Sequence, residues 1–215
     1  KSMGRGSKRT LYFMLQVIDI PSSGEALSLP NGQLRYFKHF FSLEEADSLF
    51  ESLLREIKWQ QDPIKVFGKT YLQPRLTALY ATNDNSYTYS GITMKPHLMI
   101  PQLKKIQAAI EAITEARFTT VLLNLYRDGK DSNGWHADDE KELGKNPVIA
   151  SVSLGSTRYF HLKHLKQKEQ RFKFLLDHGS LLMMGGPMQH FWQHQIAKTK
   201  QQIGPRINLT FRKIV

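Results

Sequence analysis

The sequence contains no cysteine. This absence excludes a disulfide framework, a thiolate metal site and a cysteine nucleophile. It also contains no apolar run near the roughly 18 residues that a membrane-spanning helix needs, so we expect no membrane partner. The chain has 215 residues, of which 40% are hydrophobic. That length and composition predict one domain with a substantial core, preceded by an N-terminal extension.

Acidic residues are scarce relative to basic ones, with 19 Asp and Glu against 30 Lys and Arg, and the formal net charge is +11. The basic residues lie between apolar runs instead of forming a tail, as in residues 65–75 and 163–173. Clustered lysine and arginine release counterions when they meet phosphates. The charge and its distribution therefore favour a nucleic-acid partner over a merely soluble basic protein.

The apolar pattern predicts two helices and then a β-rich half. Ser42 and Glu45 form a capping-box pattern ahead of a helix to about Lys58, and a second helix begins at Pro101. Residues 21–32 are predicted to be a loop. Seven β-rich runs follow, at residues 119–126, 148–154, 158–162, 172–176, 180–184, 190–196 and 206–214. Short strands at even spacing with turn signals are typical of a sandwich or barrel, and a jelly roll encloses a site between its two sheets.

A candidate metal site lies between Trp135 and Glu140. His136 and Asp138 are two residues apart in an extended segment, so they point to the same side. A second histidine would complete a set of two histidines and one carboxylate, which leaves coordination positions open on Fe(II). Alone, His-x-Asp is a weak signal that also fits a surface loop. His190 and His194 share one predicted strand and the same parity, so spacing does not choose the third ligand.

The last predicted strand alternates polar and apolar side chains. Arg206, Asn208, Thr210 and Arg212 face one side, and Ile207, Leu209 and Phe211 face the other. A buried guanidinium is costly unless it meets an anion, and a small dicarboxylate held by bidentate arginines fits this side. The alternative is an edge strand with solvated arginines. Asn124 and Tyr126 offer an amide and a phenol on one face of an earlier strand.

Together these motifs resemble the AlkB family of Fe(II)- and 2-oxoglutarate-dependent dioxygenases. The resemblance rests on His136-Ala137-Asp138, a distal histidine and the segment Arg206-Ile207-Asn208-Leu209-Thr210-Phe211-Arg212. Asn124-Leu125-Tyr126 is similar to the family's cosubstrate motif, and residues 177–184 are similar to the start of a characteristic strand. The resemblance covers roughly residues 59–215. It implies a double-stranded β-helix, a mainly β jelly roll with flanking helices.

Composition and the resemblance together predict a domain organisation. Residues 1–32 are expected to be an N-terminal extension, partly disordered because residues 1–10 are basic and rich in Gly and Ser. Residues 33–215 would be the dioxygenase domain. Within that domain, residues 59–100 would form a nucleotide-recognition lid and residues 118–215 the jelly-roll core.

The ligand roles follow from the same resemblance. Fe(II) would be bound by His136, Asp138 and His194, which stands twelve residues before Arg206 as the family's distal histidine does. 2-Oxoglutarate would be held through its two carboxylates by Arg206 and Arg212. The remaining expected 2-oxoglutarate contacts are Asn124, Tyr126, Asn208 and Thr210. O₂ would be the second cosubstrate. The implied reaction is oxidative demethylation of N-alkylated DNA bases, such as 1-methyladenine and 3-methylcytosine, with release of formaldehyde and succinate.

The target base has to leave the stack to reach the iron. By similarity, Tyr89 and the His136 ring would sandwich it, and Asp139 would contact its exocyclic group. Tyr87 shares a face of the predicted strand with Tyr89 and offers a second ring. Ordinary strand packing of the two tyrosines is the alternative.

Residues 66–69 resemble the intercalating finger of the family's duplex-DNA repair member. Phe67 would fill the gap left by the flipped base, Gly68 and Lys69 would contact the backbone, and Arg75 would reach the opposite strand. A Phe67 ring folded onto the core is the alternative. Residues 73–78, Trp135 and residues 192–194 are closer to the member that prefers single strands. Duplex DNA is favoured, because a wedge has a mechanical role only in a stack.

Two other functions remain open at this point. The first is a dioxygenase that acts on RNA or protein, and the second is a non-catalytic nucleic-acid-binding β domain. A monomer is expected, cytoplasmic in a bacterium and nuclear in a eukaryote.

Overall fold

The computed structural model describes residues 14–66, 68–82, 87–89 and 92–214, with the backbone alone described in residues 65–66, 87–89 and 92–94. The strands are β1 (Gln16–Val17), β2 (Ser23–Leu29), β3 (Gly32–Phe37), β4 (Pro63–Val66), β5 (Lys69–Leu72), β6 (Leu76–Ala81), β7 (Tyr87–Tyr89), β8 (Ile92–Met94), β9 (His97–Leu98), β10 (Thr120–Tyr126), β11 (Asn133–His136), β12 (Ile149–Gly155), β13 (Arg158–His164), β14 (Arg171–Leu176), β15 (Ser180–Gly185), β16 (Trp192–Ile196) and β17 (Arg206–Arg212). The α-helices are α1 (Leu43–Glu56), α2 (Pro101–Ala112) and α3 (Met188–Phe191), and a 3₁₀ turn spans Lys141–Leu143.

Two sheets form the body of the fold. The larger sheet has eight strands in the order β2-β3-β15-β12-β17-β10-β6-β9, and the smaller has five in the order β1-β14-β13-β16-β11. One cluster of buried residues, including Leu122, Leu162, Leu182 and Trp192, draws its members from both sheets. This double sheet confirms the predicted jelly roll with flanking helices. The hairpins β4–β5 and β7–β8 are separate two-stranded sheets.

Helices α1 and α2 cover the larger sheet. Leu53 of α1 and Ile106 of α2 are fully buried in one cluster with Leu209 and Phe211 of β17. The N-terminus of α1 has the predicted capping box, in which the Ser42 hydroxyl accepts a bond from the Glu45 amide at 3.2 Å and the Glu45 carboxylate accepts one from the Ser42 amide at 3.3 Å. Both predicted helices are confirmed, with α2 beginning at Pro101.

Strand β17 lies near the middle of the larger sheet. It pairs antiparallel with β12 on one side and with β10 on the other, and all seven of its residues are buried. The alternative of an edge strand with solvated arginines is therefore wrong. The apolar side of β17 packs beneath the helices, so its polar side faces the space between the sheets.

Two sequence-based predictions were wrong in detail. Residues 21–32 are not a loop, because β2 pairs with β3 and extends the larger sheet. The strand predicted over 190–196 begins only at Trp192, because residues Met188–Phe191 form the short helix α3. His190 is exposed on that helix and does not share the strand of His194. In the described part of the chain, no helix is long and apolar enough to span a membrane.

Candidate active site

A tight turn held by side-chain hydrogen bonds precedes β11. Asp131, 4% exposed, accepts bonds from the Arg127 amide at 2.9 Å and from Arg127 Nε at 2.7 Å. Arg158 donates to the carbonyls of Asp131 and Ala197, at 3.0 and 2.6 Å, and joins the turn to the segment after β16. Sequence reasoning missed all three side chains, although Arg127 and Asp131 have the i, i+4 spacing of an ion pair.

Beyond the turn, two histidine rings come into contact at a tilt of 60°. Strand β11 pairs with β16 so that His136 lies opposite His194, with ring centroids 4.2 Å apart. Asp138 follows two residues after His136, and its Oδ2 lies 3.7 Å from His194 Nε2. One potential ligand atom from each of the three residues lies within 4.8 Å of the others. The structure therefore brings His194, and not His190, to the His-x-Asp segment.

The protonation states suit metal binding. Burial, followed by the neighbouring His136, lowers the pKa of His194 to about 3, so its imidazole is neutral at ordinary pH. Burial also lowers the pKa of His136, whose Nδ1 lies 2.7 Å from the Gly134 carbonyl oxygen. A proton on that Nδ1 leaves Nε2 as the nitrogen with a lone pair for a metal, and Asn133 Nδ2 lies 3.2 Å from it.

The two oxygens of the Asp138 carboxylate have different surroundings. Burial by itself raises its pKa, but the positive charge of Arg212, followed by the two imidazoles, lowers it overall. Its Oδ1 accepts a hydrogen bond from Arg212 Nη2, and its amide donates to Gln189 Oε1 at 3.0 Å. Its buried Oδ2 meets no hydrogen-bond donor among the described residues. A carboxylate oxygen without a hydrogen-bond donor, beside two neutral imidazoles, is a suitable ligand set for Fe(II). Three such ligands leave further coordination positions on the metal open.

The polar side of β17 forms a second group in the same pocket. Arg206, 1% exposed, donates from Nη2 to Ser153 Oγ at 2.8 Å, and its Cζ lies 5.3 Å from the centroid of the Tyr126 ring. Among the described residues its Nε and Nη1 meet no acceptor. Burial lowers the pKa of Arg206 to about 10, which leaves it charged at neutral pH. A buried, charged fork with unused donors fits a carboxylate ligand.

Amide groups connect β17 to its neighbours. Asn208 donates to Ser151 Oγ at 2.8 Å, and its Oδ1 accepts from Thr210 Oγ1 at 3.1 Å and from Asn124 Nδ2 at 3.4 Å. Arg75 Nε donates to Asn124 Oδ1 at 2.7 Å. Ser151 and Ser153 were missed in the sequence, although they alternate with apolar residues on β12 and so share its pocket side.

One cavity unites the two groups. Its lining residues include both histidines and Asp138 of the first group, and Arg206 and Arg212 of the second. The remaining lining residues are Asn124, Tyr126, Asn133, Ser151, Phe160, Leu176, Met184, Ile196, Asn208 and Thr210. All nine residues expected to bind metal or 2-oxoglutarate thus border the same space.

The residues expected to contact substrate do not all border this cavity. Gly68 and the exposed Lys69 lie at the tip of the β4–β5 hairpin, where Gly68 has a positive φ of 78°. Phe67 lies outside the described residues, as do the side chains of Tyr87 and Tyr89. Asp139 is exposed next to the buried Asp138. Arg75 is only 5% exposed and bonds to Asn124 in the interior. To contact the opposite DNA strand it would have to break this bond, so the expected DNA contact stays a prediction.

Comparison with known proteins agrees with this geometry. A family model described as the 2OG-Fe(II) oxygenase superfamily matches residues 33–212. The alpha-ketoglutarate-dependent dioxygenase alkB homolog 3 of Bos taurus is 45% identical over 184 residues, which are 81% of this chain and 64% of that protein. The DNA oxidative demethylase ALKBH2 of Homo sapiens is 40% identical over 185 residues, covering 81% of this chain and 71% of that one.

A solved structure, that of OsALKBH1, superposes with a TM-score of 0.60 at 21% identity. The superposition covers 88% of this chain and all of that one, and at this identity it supports the fold alone. The chain spans slightly less than two thirds of the bovine relative. The matched model covers most of the chain and the human relative is matched over most of its length. The chain therefore belongs to the 2OG-Fe(II) oxygenase superfamily, in its AlkB branch, whose members use Fe(II), 2-oxoglutarate and O₂.

Proposed function

We propose that this protein is an Fe(II)- and 2-oxoglutarate-dependent dioxygenase that removes N-linked methyl groups from bases such as 1-methyladenine and 3-methylcytosine in DNA. The observation that carries the proposal is the single cavity bordered by the His136, Asp138 and His194 cluster and by the arginines of β17. The substrate class is supported by the relatives, several of which are described as DNA oxidative demethylases. The +11 charge of the chain suits a polyanionic partner.

His136, Asp138 and His194 are proposed as the metal ligands. Bound Fe(II), with 2-oxoglutarate and O₂, would supply the oxidising chemistry. One oxygen atom of O₂ would hydroxylate the N-methyl group, which is then lost as formaldehyde, and the other would end in succinate as 2-oxoglutarate loses CO₂. The chain keeps both imidazoles neutral through burial and holds Asp138 through Arg212 and Gln189. Since Arg212 occupies one carboxylate oxygen, Asp138 would offer the metal its other oxygen.

Arg206 and Arg212 are proposed to bind the two carboxylates of 2-oxoglutarate. Arg206 is oriented by Ser153 and by the face of Tyr126, which leaves its Nε and Nη1 directed at the ligand. Asn124, Tyr126, Asn208 and Thr210 would complete the polar wall. Arg75 would act as a positioning residue, because its bond to Asn124 Oδ1 fixes which end of that amide points toward Asn208.

The target base would enter between His136 and Tyr89, with Asp139 at its exocyclic group and Tyr87 nearby. Gly68 and Lys69 at the β4–β5 tip would contact the backbone, and Phe67 would fill the gap in the stack. Duplex DNA is the favoured partner, and single-stranded DNA and RNA are alternatives that the experiment separates. A monomer is proposed, located in the nucleus of a eukaryote or in the cytoplasm of a bacterium.

The test is a panel of short oligonucleotides that carry one 1-methyladenine or 3-methylcytosine. Duplex DNA, single-stranded DNA and RNA are each incubated with Fe(II), 2-oxoglutarate and the protein. Mass spectrometry follows loss of the methyl group, and formaldehyde and succinate are quantified. We expect stoichiometric formation of both products and fastest turnover of duplex DNA. No turnover on any member of the panel would overturn the proposed activity.

Metal binding is tested without relying on turnover. For the wild type, Mn(II) with 2-oxoglutarate at a hundred times the dissociation constant should stabilise the fold by about 2.7 kcal/mol. Asp138→Asn should lose this shift and all turnover. Asp139→Asn is the matched control, since the exposed neighbour should keep the thermal shift and weaken only substrate binding. An equal shift in wild type and Asp138→Asn would refute the ligand assignment.

A further inference from the structure

The outward face of the smaller sheet carries charge of one sign. Strands β11, β13, β14 and β16 contain no aspartate or glutamate. On β13 the residues Tyr159, His161 and Lys163 face outward, alternating with the buried Phe160 and Leu162. This outward face, here called the basic face, also includes Trp135 of β11 and Arg171 and Lys173 of β14.

The pairing of these strands sets positive side chains against each other. Lys163 lies directly opposite Arg171, and His161 lies directly opposite Lys173. Like charges in directly opposed positions destabilise a sheet. In the part of the chain that the structure describes, no carboxylate lies within 4.0 Å of Lys163, Arg171 or Lys173. Arg171 Nε is also buried without a hydrogen-bond acceptor among the described residues. The strain of this arrangement would be relieved by an external anion.

Two aromatic rings hold the ammonium groups on the face. Lys163 Nζ lies 4.4 Å from the centroid of the Trp135 ring, and Lys173 Nζ lies 4.8 Å from that of Tyr159. Such cation–π contacts fix the position of a long side chain that would otherwise sample many rotamers. The two contacts therefore favour positions of Lys163 and Lys173 over the rings of this face.

The electrostatics of the row agree with its geometry. Burial, followed by the charge of Arg171, lowers the pKa of Lys163. Burial, followed by the charge of Lys173, lowers the pKa of His161. Both groups thus experience the neighbouring cations without compensation, and an anion placed between them would favour their charged forms.

The position of the row relates it to the active site. Trp135 directly precedes His136, so one end of the basic face adjoins the residues of the cavity. From β11 across β16 and β13 to β14 the face spans about 14 Å, at roughly 4.8 Å per strand. Tyr159 and His161 also line a surface groove whose other lining residues include no carboxylate. The face is long enough for consecutive phosphates of one strand, and its Trp135 end is next in sequence to the cavity residue His136.

We propose that the basic face binds the phosphate backbone of the substrate's nucleic-acid strand as it runs away from the cavity. This proposal rests on the proposed function, because it concerns the same substrate. A nucleic acid fits better than an acidic protein, since evenly spaced phosphates match a row of cations and an exposed aromatic edge can meet a base.

The test compares two variants with the same charge change. The face variant carries Lys163→Gln, Arg171→Gln and Lys173→Gln. The control carries Arg55→Gln, Lys58→Gln and Lys104→Gln, three exposed positions on or next to α1 and α2. Binding of a dye-labelled single-stranded oligonucleotide is measured by fluorescence anisotropy over a range of salt concentrations, and circular dichroism checks that both variants are folded.

A plot of log affinity against log salt concentration has a negative slope, and each phosphate contact contributes about 0.7 to its magnitude on a single strand. The face variant loses three cations, so the magnitude of its slope should fall by about 2. We expect about tenfold weaker binding near physiological salt, with the control close to wild type. Equal losses in both variants would overturn the proposal, as would equal binding of polyglutamate and oligonucleotide to the wild type. Binding needs no turnover, so a wild type that binds through this face yet demethylates nothing would refute only the proposed function.

Discussion

Two arginines flank the Tyr126 ring and differ in how many of their N–H donors lack an acceptor. Arg206 and Arg158 place their Cζ atoms 5.3 and 5.6 Å from the ring centroid. Arg158 donates to backbone carbonyls of Asp128, Asp131 and Ala197, whereas Arg206 donates to Ser153 and keeps two nitrogens without acceptors among the described residues. Both arginines are buried, but only Arg206 keeps donors for the 2-oxoglutarate carboxylate that it is proposed to bind.

Arg206→Lys should weaken 2-oxoglutarate binding far more than it weakens the fold. A lysine cannot supply the planar fork, and loss of charge-assisted hydrogen bonds worth about 1.5–3 kcal/mol corresponds to a roughly ten- to hundredfold higher KM for 2-oxoglutarate. The measurement is KM for 2-oxoglutarate at saturating oligonucleotide, together with calorimetric Kd.

Arg158→Lys is the matched control for that experiment. It should lower the melting temperature through lost carbonyl contacts while leaving the KM for 2-oxoglutarate near the wild-type value. If both variants raised KM alike, the different roles assigned to the two arginines would be wrong.

Individual residues also show which features of the site could be predicted from the sequence and which could not. The polar alternation of β17 predicted that Arg206 and Arg212 share one side, because strand parity is local. The inward position of Arg75 was not predictable, since it depends on Asn124, which is 49 residues away along the chain. Spacing alone also left the choice between His190 and His194 open. The family resemblance predicted His194, and the pairing of β11 with β16 places it opposite His136.

At the scale of elements, the helices were the easiest to predict. A capping box and an apolar stripe are encoded within one helix, so α1 and α2 could be located from sequence. Strand β2 and helix α3 could not, because β2 is stabilised by its pairing with β3, and α3 is too short to show a period.

The capping box makes a prediction about α1. Ser42→Ala removes the acceptor for the Glu45 amide and should cost about 1 kcal/mol of unfolding free energy. For a protein of this size that lowers Tm by about 2–4 °C in a thermal melt. Ser52→Ala in the same helix is the control, because its hydroxyl only bonds back to the Leu49 carbonyl and alanine favours helix. A drop in Tm for Ser52→Ala as large as that for Ser42→Ala would contradict this interpretation.

At the scale of the whole molecule, Tyr36 links the two sheets. It lies on β3 of the larger sheet, and its hydroxyl donates to Asp177 Oδ2 at 2.9 Å and accepts from the Asp177 amide at 3.0 Å, just beyond β14 of the smaller sheet. Burial raises the pKa of Tyr36 to about 12. The neutral phenol is therefore favoured in the folded state.

This link predicts alkaline sensitivity. The unfolded chain releases the phenolic proton near pH 10 and the folded chain only near pH 12, so unfolding releases a proton between these values and the stability from this group falls as pH rises. Wild type should exceed Tyr36→Phe in unfolding free energy at pH 8. That difference should shrink above pH 10, by at most about 1.4 kcal/mol per pH unit. Urea unfolding at several pH values measures it, and a constant difference would contradict the link.

The two small hairpins have a consequence for how this protein could diversify. Apart from Asp138, which follows β11, the proposed metal and 2-oxoglutarate residues lie on strands of the two large sheets. Strand β17 packs in one buried cluster with the helices, so changes there disturb the fold itself. Hairpins β4–β5 and β7–β8 pair with neither large sheet. Strand β5 is exposed along its whole length, so mutations in it cost the core little. Under the proposed function, selection can therefore change the preference for duplex or single strand through β5, while the residues proposed to bind metal and 2-oxoglutarate stay unchanged.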